Sequence, residues 1–298
     1  MQPKISVLMP VYNAGLYLDE AINSILNQTF ESFEFIIIDD GSTDNSIDVL
    51  ERYAKNDPRV KIIKRGNRGI SETRNELIGY AQAKYIAWMD ADDVSMPERL
   101  ASQYSYLSQH TGVVAIGVST LLIDPDGENL CDWISPKTHE EIDATHMSGR
   151  GGAIVFPSSM MTKDAVSSVG GFSNTLVAAE DLDLFLKLAE IGRLVNIAPL
   201  LFHYRQHEKS ISHMARKRVA EDTNVALRSA YIRRGLEYSN VIVLSSKQTI
   251  GEIYSKWAWW ALMYGNIKTA RKYAFRVLLR APHQVNTWKL LACALRGH

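Results

Sequence analysis

The sequence predicts an α/β fold, a mostly parallel sheet flanked by helices, followed by an all-helical C-terminal segment. Three observations predict it. Over the first 120 residues, short apolar runs alternate with stretches whose apolar residues recur at helical spacing. Each of those runs ends in a polar cluster. Beyond about residue 213 the pattern is helical, and the charge changes sign at the same place. Residues 1–212 carry 18 Lys and Arg against 29 Asp and Glu, a net of −11, whereas residues 213–298 carry 15 against 4, a net of +11. A formal charge of zero conceals that break, which divides the chain into a domain over 1–212 and a basic helical region over 213–298.

Ile5-Ser6-Val7-Leu8-Met9 is the first strand, and Leu18, Ala21, Ile22, Ile25 and Leu26 then share one helical face. Phe33–Ile38 is a second strand that runs into Asp39-Asp40-Gly41-Ser42-Thr43-Asp44; Ile47, Leu50 and Ala54 mark the helix behind it. Val60–Ile63 is a third strand, Ser71 is expected to cap a third helix, and Tyr85–Met89 is a fourth strand. Further on, Val113–Ser119 is a strand and Asp124-Pro125-Asp126-Gly127 a turn. Glu180-Asp181 opens an amphipathic helix, and Leu200–Tyr204 is a late strand leading to Arg205 and His207. Trp257, Ala261, Tyr264-Gly265-Asn266, Ala270, Ala274 and Pro282 trace two antiparallel helices of tetratricopeptide type. One copy cannot build a repeat array, so the expectation is a helical pair packed on the preceding domain.

Strands joined through helices imply right-handed crossovers and ligands at the strands' carboxyl ends. Four polar clusters converge there: Tyr12-Asn13-Ala14-Gly15, Asp39–Ser42, Arg65–Gly69 and Asp90-Ala91-Asp92-Asp93. The last is the most informative. Acidic residues crowded at a strand's exit repel one another and call for a cation. In an extended segment Asp90 and Asp92 point the same way and offer hard oxygen ligands to Mg²⁺ or Mn²⁺. The dinucleotide fingerprint and the Walker A loop are missing after the first strand, as is a Gly-x-Ser-x-Gly elbow, and the acidic loop lacks the glycine of a calcium hand. What remains is a site for a nucleoside diphosphate held through a divalent cation.

Pro10-Val11-Tyr12-Asn13, Asp39–Asp44, Asn67-Arg68-Gly69 with Arg74-Asn75, Asp90–Asp93 and Glu180-Asp181, in that order, resemble the family 2 glycosyltransferases over roughly residues 3–212. The resemblance implies a GT-A fold, a nucleotide-sugar donor and inversion at the anomeric carbon. By motif position, it implies that Pro10 and Tyr12 line the nucleobase pocket and Asp40 accepts a hydrogen bond from the base. Asp90 would touch the ribose, Asp92 would bind the metal and Asp181 would be the general base. Asn67, Gly69, Asp93 and Glu180 are carried along as substrate-binding candidates. Thr73 stands where many relatives carry alanine. His203-Tyr204-Arg205 replaces the tryptophan-bearing motif of processive synthases, which implies single addition.

Several residues keep two readings. Tyr12 also suits a core aromatic, Asp40 a helix cap, and Glu180-Asp181 simple helix N-terminal charge. Arg74 suits either a phosphate or base contact or an ion pair on a helix face; Arg205 and His207 are expected to close over the diphosphate. The expected activity is transfer of one sugar from a UDP-sugar to a glycan or lipid-linked glycan acceptor in cell-surface polysaccharide assembly. The rivals are a non-catalytic nucleotide-sugar-binding scaffold and a metal-dependent nucleotidyltransferase. The latter calls for a lysine-bearing loop that Pro10–Gly15 is not.

Two cysteines, Cys131 and Cys293, in no metal-like spacing point to a reducing cytoplasm, and no apolar run nears a membrane span. No nucleic-acid partner is expected. For the basic region two expectations stand: docking onto the acidic domain, or binding an anionic membrane surface through Arg216-Lys217-Arg218, Arg271-Lys272, Arg276 and Arg280 with Trp257, Trp259 and Trp260.

Overall fold

Residues 2–208, 210, 216–239 and 248–297 are described by the computed structural model of the chain. β1 (Ile5–Val11), β2 (Phe33–Asp39), β3 (Val60–Lys64) and β4 (Tyr85–Trp88) pair in parallel, with α1 (Leu18–Leu26), α2 (Ser46–Asn56) and α3 (Ile70–Tyr80) as the connections. Period-two alternation decides which face each side chain covers. Val7 and Met9 of β1 with Phe35 and Ile37 of β2 pack toward α1 and α2; Leu8, Ile36, Ile38, Ile86 and Trp88 pack toward α3.

The second half of the sheet is mixed. β5 (Val94–Ser95) and α4 (Arg99–Gln109) lead to β6 (Val113–Ile123), which turns through Asp124–Glu128 into β7 (Asn129–Trp133). A tight turn can join only antiparallel neighbours, and β6–β7 is such a pair. After α5 (His139–Met147) come β8 (Met160–Thr162), α6 (Lys163–Ser168), α7 (Glu180–Ala189) and β9 (Arg193–Arg205). The strand order is β3-β2-β1-β4-β8-β6-β9-β5, with β7 beside β6. β8 is antiparallel to both β4 and β6, β9 is parallel to β6, and β5 antiparallel to β9. The parallel order expected from the sequence therefore belongs to β1–β4.

Two local expectations are corrected. Gly69, with φ of 88°, is the N-cap of α3, a conformation that costs a residue with a Cβ. Ser71 lies inside the helix and donates to the Leu176 carbonyl at 2.8 Å. Nor do Asp90–Asp93 extend the strand. The chain turns there, with Asp93 N donating to Asp90 O at 3.4 Å, because it must reverse to enter β5. Asp90 and Asp92 consequently meet different partners.

α8 (Arg216–Arg233), α9 (Ile250–Met263), α10 (Ile267–Arg280) and α11 (Val285–Arg296) complete the chain. The expected boundary at 212/213 lies outside the described residues. α9 and α10, joined by Tyr264-Gly265-Asn266, form the expected helical pair, and α11 adds a third helix to it. Trp257, Tyr254 and Tyr273 pack against Leu122, Leu130 and Cys131 of β6–β7, while Ala226, Leu227 and Ala230 of α8 pack against Leu182 and Leu186 of α7. Charge reinforces that docking. Lys272 pairs with Asp124 and Asp126, Lys268 with Glu128, Arg233 with Glu190 and Arg234 with Asp143. Among the described residues no helix is long and apolar enough to cross a membrane.

Candidate active site

Two clefts open at the carboxyl ends of β1, β2 and β4 and share one wall. The first, about 650 Å³, is lined by Pro10, Tyr12, Asp40, Asn67, Gly69, Arg74, Asp90, Asp92, Glu180 and His207 among others. The second, about 480 Å³, is lined by Arg74, Asp90, Glu180 and Asp181 together with residues of β7, α8 and α9. Arg74, Asp90 and Glu180 face both.

The loops after β1 and β2 are stitched together before any ligand arrives. Asn13, at φ of 52°, accepts the Thr43 N–H at 2.8 Å and gives its own N–H to Ser42 Oγ at 2.9 Å. Gly15 N donates to Asp44 Oδ2 at 3.0 Å, and Ala14 N to Ser46 Oγ at 3.0 Å. Ser42, Thr43, Asp44 and Ser46 thus clamp the first loop, and Tyr12 stands 54% exposed at the rim, which rules out its core reading. Asp40 is 4% exposed. It accepts the N–H groups of Arg68 and Gly69 at 2.8 and 3.0 Å and pairs with Arg65. Asp40 therefore shapes the 65–69 loop as well as facing the cleft; a carboxylate still has acceptor capacity beyond three donors. Thr73, fully buried, accepts from Arg65 Nη2 at 2.7 Å and so ties α3 to the same loop.

Arg74 resolves to an ion pair. Its guanidinium is 2.5 Å from Glu180 and 3.4 Å from Asp90, and stacks over Phe156 with 4.2 Å to the ring centre. Burial opposes its charge, but Asp90, Glu180 and Asp181 together raise its proton affinity. Burial pushes the Glu180 carboxyl up to about 7 against the pull of Arg74, and raises Asp90 in the same sense.

Asp92 and His207 form the open pair of the acidic turn. Asp92 Oδ2 and His207 Nε2 are 2.9 Å apart, with 31% and 20% of their side chains exposed. Among the described residues no three acidic, histidine or cysteine side chains are grouped to hold a metal by themselves. Mg²⁺ and Mn²⁺ need no such cage, since one or two protein ligands are commonly completed by phosphate oxygens and water. Asp92 with His207 fits that pattern.

Two candidates are corrected. Asp93 is completely buried and lines neither cleft; its Oδ1 accepts the Arg205 N–H at 2.8 Å. Burial, then Asp92 and Asp90, raises its carboxyl well above the usual range, which favours the protonated form. Arg205 is 2% exposed and cannot close over a diphosphate. It donates to Asp92 O at 2.7 Å and Glu20 at 2.5 Å, and stacks on Tyr17. Both residues brace the acidic turn from behind.

Asp181 lies in the first turn of α7, half-buried in the second cleft, and accepts a local hydrogen bond from the Leu182 N–H at 2.8 Å. The second cleft also contains residues that the sequence reading did not reach, Trp133, Gly152 and Lys256, and Trp260, which it had placed on a basic, aromatic surface instead. Only Lys256 and Trp260, four apart on one helix, carried a local sign in their spacing.

Two clefts at the strand ends of an α/β sheet, sharing an acidic wall, make a candidate active site, and comparison with known proteins gives its family. Residues 6–147 match the model of "Glycosyl transferase family 2". An uncharacterized glycosyltransferase of Haemophilus influenzae is 31% identical over 229 residues, covering 70% of this chain and 68% of the relative. The chain belongs to glycosyltransferase family 2 and is a glycosyltransferase enzyme, which sets aside the scaffold and nucleotidyltransferase alternatives. A hyaluronan synthase of Pasteurella multocida is 27% identical over 239 residues; these are 80% of this chain but only 24% of the synthase. Two solved structures show the same fold. Staphylococcus aureus TarS 1–349 in complex with UDP-GlcNAc has a TM-score of 0.61 at 17% identity, covering 99% of this chain and 88% of that one. A mannosyltransferase from Pyrobaculum calidifontis in complex with GDP-Man and Mn²⁺ has a TM-score of 0.59 at 18% identity, covering 99% and 80%.

Proposed function

We propose that this glycosyltransferase moves a single sugar from a UDP-sugar to a glycan or lipid-linked glycan acceptor, with inversion, in cell-surface polysaccharide assembly. The carrying observation is the pair of clefts that meet at Arg74, Asp90 and Glu180, with Asp92 and His207 on one side and Asp181 on the other. The donor occupies the first cleft, its base near Pro10, Tyr12 and Asp40, and the acceptor the second. Residues 1–212 act as the catalytic unit and residues 213–298 as the basic helical region that completes the second cleft.

In the transfer an acceptor hydroxyl oxygen attacks the anomeric carbon. The bond from that carbon to the diphosphate oxygen breaks, its electron pair leaving with the nucleoside diphosphate. Asp181 takes the hydroxyl proton, a role typically worth ~10²–10⁴-fold in rate. Asp92 and His207 would hold Mn²⁺ or Mg²⁺, which supplies Lewis-acid stabilisation to the leaving diphosphate when bound. Arg74 keeps Asp90 and Glu180 in place at the junction. Arg205 holds the turn that presents Asp92.

The deciding experiment is calorimetric titration of UDP, GDP and dTDP, with and without Mn²⁺, into wild type and Asp92→Asn. Metal-dependent UDP binding that the substitution removes supports the reading. A folded wild-type protein that binds none of the three overturns it.

The location follows the same reading: cytoplasmic, peripheral on the cytoplasmic face of an anionic membrane. Phe275, Leu279 and Trp288 are exposed on α10 and α11 beside Arg280 and Lys289, and no acidic residue follows Glu252 in the sequence. Flotation with anionic liposomes at low salt tests this, and a protein that stays at the bottom removes the membrane from the proposal.

A further inference from the structure

Of the pair formed by Asp92 and His207, the histidine has the looser side chain. Its backbone is set, since its N–H donates to Ser210 Oγ at 3.3 Å and its carbonyl accepts the Ser210 N–H at 3.1 Å. The imidazole still turns about two torsions, and among the described residues its one hydrogen bond is the 2.9 Å contact with Asp92. A metal-binding imidazole ordinarily gives its other ring N–H to a carboxylate or a carbonyl, and that hydrogen bond fixes the ring. Here an aromatic wall takes its place. The Tyr17 ring stacks on the imidazole, with 5.9 Å between ring centres and 28° between planes.

Tyr17 is itself firmly seated. It caps the start of α1, its N–H donates to Ala14 O at 3.0 Å, and its carbonyl accepts the Ala21 N–H at 3.0 Å. Ser42, Thr43, Asp44 and Ser46 clamp the loop before it. The Arg205 guanidinium lies over the same ring, 4.7 Å from its centre, and is fixed at Asp92 O and Glu20. Asp92 is therefore held twice, at its carbonyl by Arg205 and at its carboxylate by His207, and both holders rest on one phenol ring. Tyr17 lines the first cleft, yet its hydroxyl makes no hydrogen bond among the described residues. The geometry uses the ring.

We propose that Tyr17 is a positioning residue of the metal site: its ring confines the His207 imidazole to the orientation that meets Asp92, so that both side chains are presented together to Mn²⁺ or Mg²⁺. The inference deepens the proposed function and rests on it for the metal. Confinement before binding spares part of the entropy lost when a free side chain is fixed on a ligand.

Calorimetric titration of UDP into the full chain, with Mn²⁺ and with EDTA, tests it. Tyr17→Leu removes the stacking surface; it should weaken binding with Mn²⁺ by about tenfold and leave binding in EDTA within about twofold of wild type, as losses behind a metal ligand do. Tyr17→Met repeats the test should Tyr17→Leu not fold. Tyr17→Phe keeps the ring and should restore the affinity seen with Mn²⁺. In a His207→Ala background Tyr17→Leu should cost little more, because the group it positions is gone. Equal losses with Mn²⁺ and EDTA, a loss for Tyr17→Phe as large as for Tyr17→Leu, or a full effect in the His207→Ala background overturns the inference. Failure of the proposed function is seen separately, in the wild type: a folded protein whose UDP binding ignores Mn²⁺ removes the metal site, and this inference with it.

Discussion

Arg74 Nη1 and Glu180 Oε1 lie 2.5 Å apart, joining α3 to the first residue of α7 across 106 positions of sequence. Both side chains are less than 10% exposed. Removing one member of a buried pair leaves the other charge uncompensated, at a cost of about 3–5 kcal/mol. Glu180→Ala should lose stability in that range by urea unfolding, while Glu180→Gln, which keeps an acceptor oxygen, should lose less. A loss under ~1 kcal/mol for Glu180→Ala would mean that Asp90 alone satisfies Arg74.

Among the described residues Asp181 accepts a hydrogen bond from the neighbouring Leu182 N–H alone, and its charge adds to the field at Arg74, so an isosteric amide there should change folding little. Asp181→Asn is expected to reduce transfer by at least ~100-fold while UDP affinity, read by calorimetry, stays at the wild-type value. Transfer near the wild-type rate would move the base elsewhere.

Arg205 distributes its donors over Asp92 O, Glu20, Asp124 O and Pro125 O. A lysine has the charge but not the planar fork that reaches them all. Arg205→Lys should loosen the turn bearing Asp92 and weaken metal-dependent nucleotide binding by about tenfold or more, with metal-free binding little changed. Equal losses with and without metal would assign Arg205 to the fold alone.

His146 is 1% exposed, stacks on Phe185 at 5.2 Å, and has no hydrogen-bond partner on Nδ1 among the described residues. Burial, opposed weakly by Asp143, lowers its pKa from 6.5 to about 4. The unfolded chain therefore binds the extra proton first. This contribution to stability is complete above pH 6.5 and is lost as pH falls toward 4, by about 3 kcal/mol at most at ~1.4 kcal/mol per pH unit. His146→Leu should flatten that segment of the stability profile, measured by thermal unfolding between pH 4 and 7. A profile as steep as the wild type's would assign the dependence to other groups.

The parallel half of the sheet was legible because continuous apolar runs and helical spacing are local signals; β1, β2 and β4, buried on both faces, show the first, and α1 and α2 between them the second. The four polar clusters were likewise visible, since topology alone sends strand exits to one edge. Side-chain assignments within them were less secure. Asp92 and Asp93 are neighbours, yet one faces a cleft and the other is sealed behind it, because the chain turns where an extended path was expected. Arg205 carries a charge that reads as ligand-binding, and only its distant partners reveal a brace. Trp133 and Gly152 meet across 19 residues, and Lys256 joins the same cleft from more than a hundred residues further on, so no short window of sequence could announce the wall they form.

The family match ends at residue 147, whereas Lys256 and Trp260 come from α9, well beyond it. On the proposed reading, the choice of what is given and the choice of what receives it are therefore inherited from separate stretches of chain. On that reading, substitutions in α8 or α9 would change the choice of acceptor without disturbing the loops proposed to hold the nucleotide. A lineage of such proteins would diversify its products by drift in the tail while the opening motifs stay still.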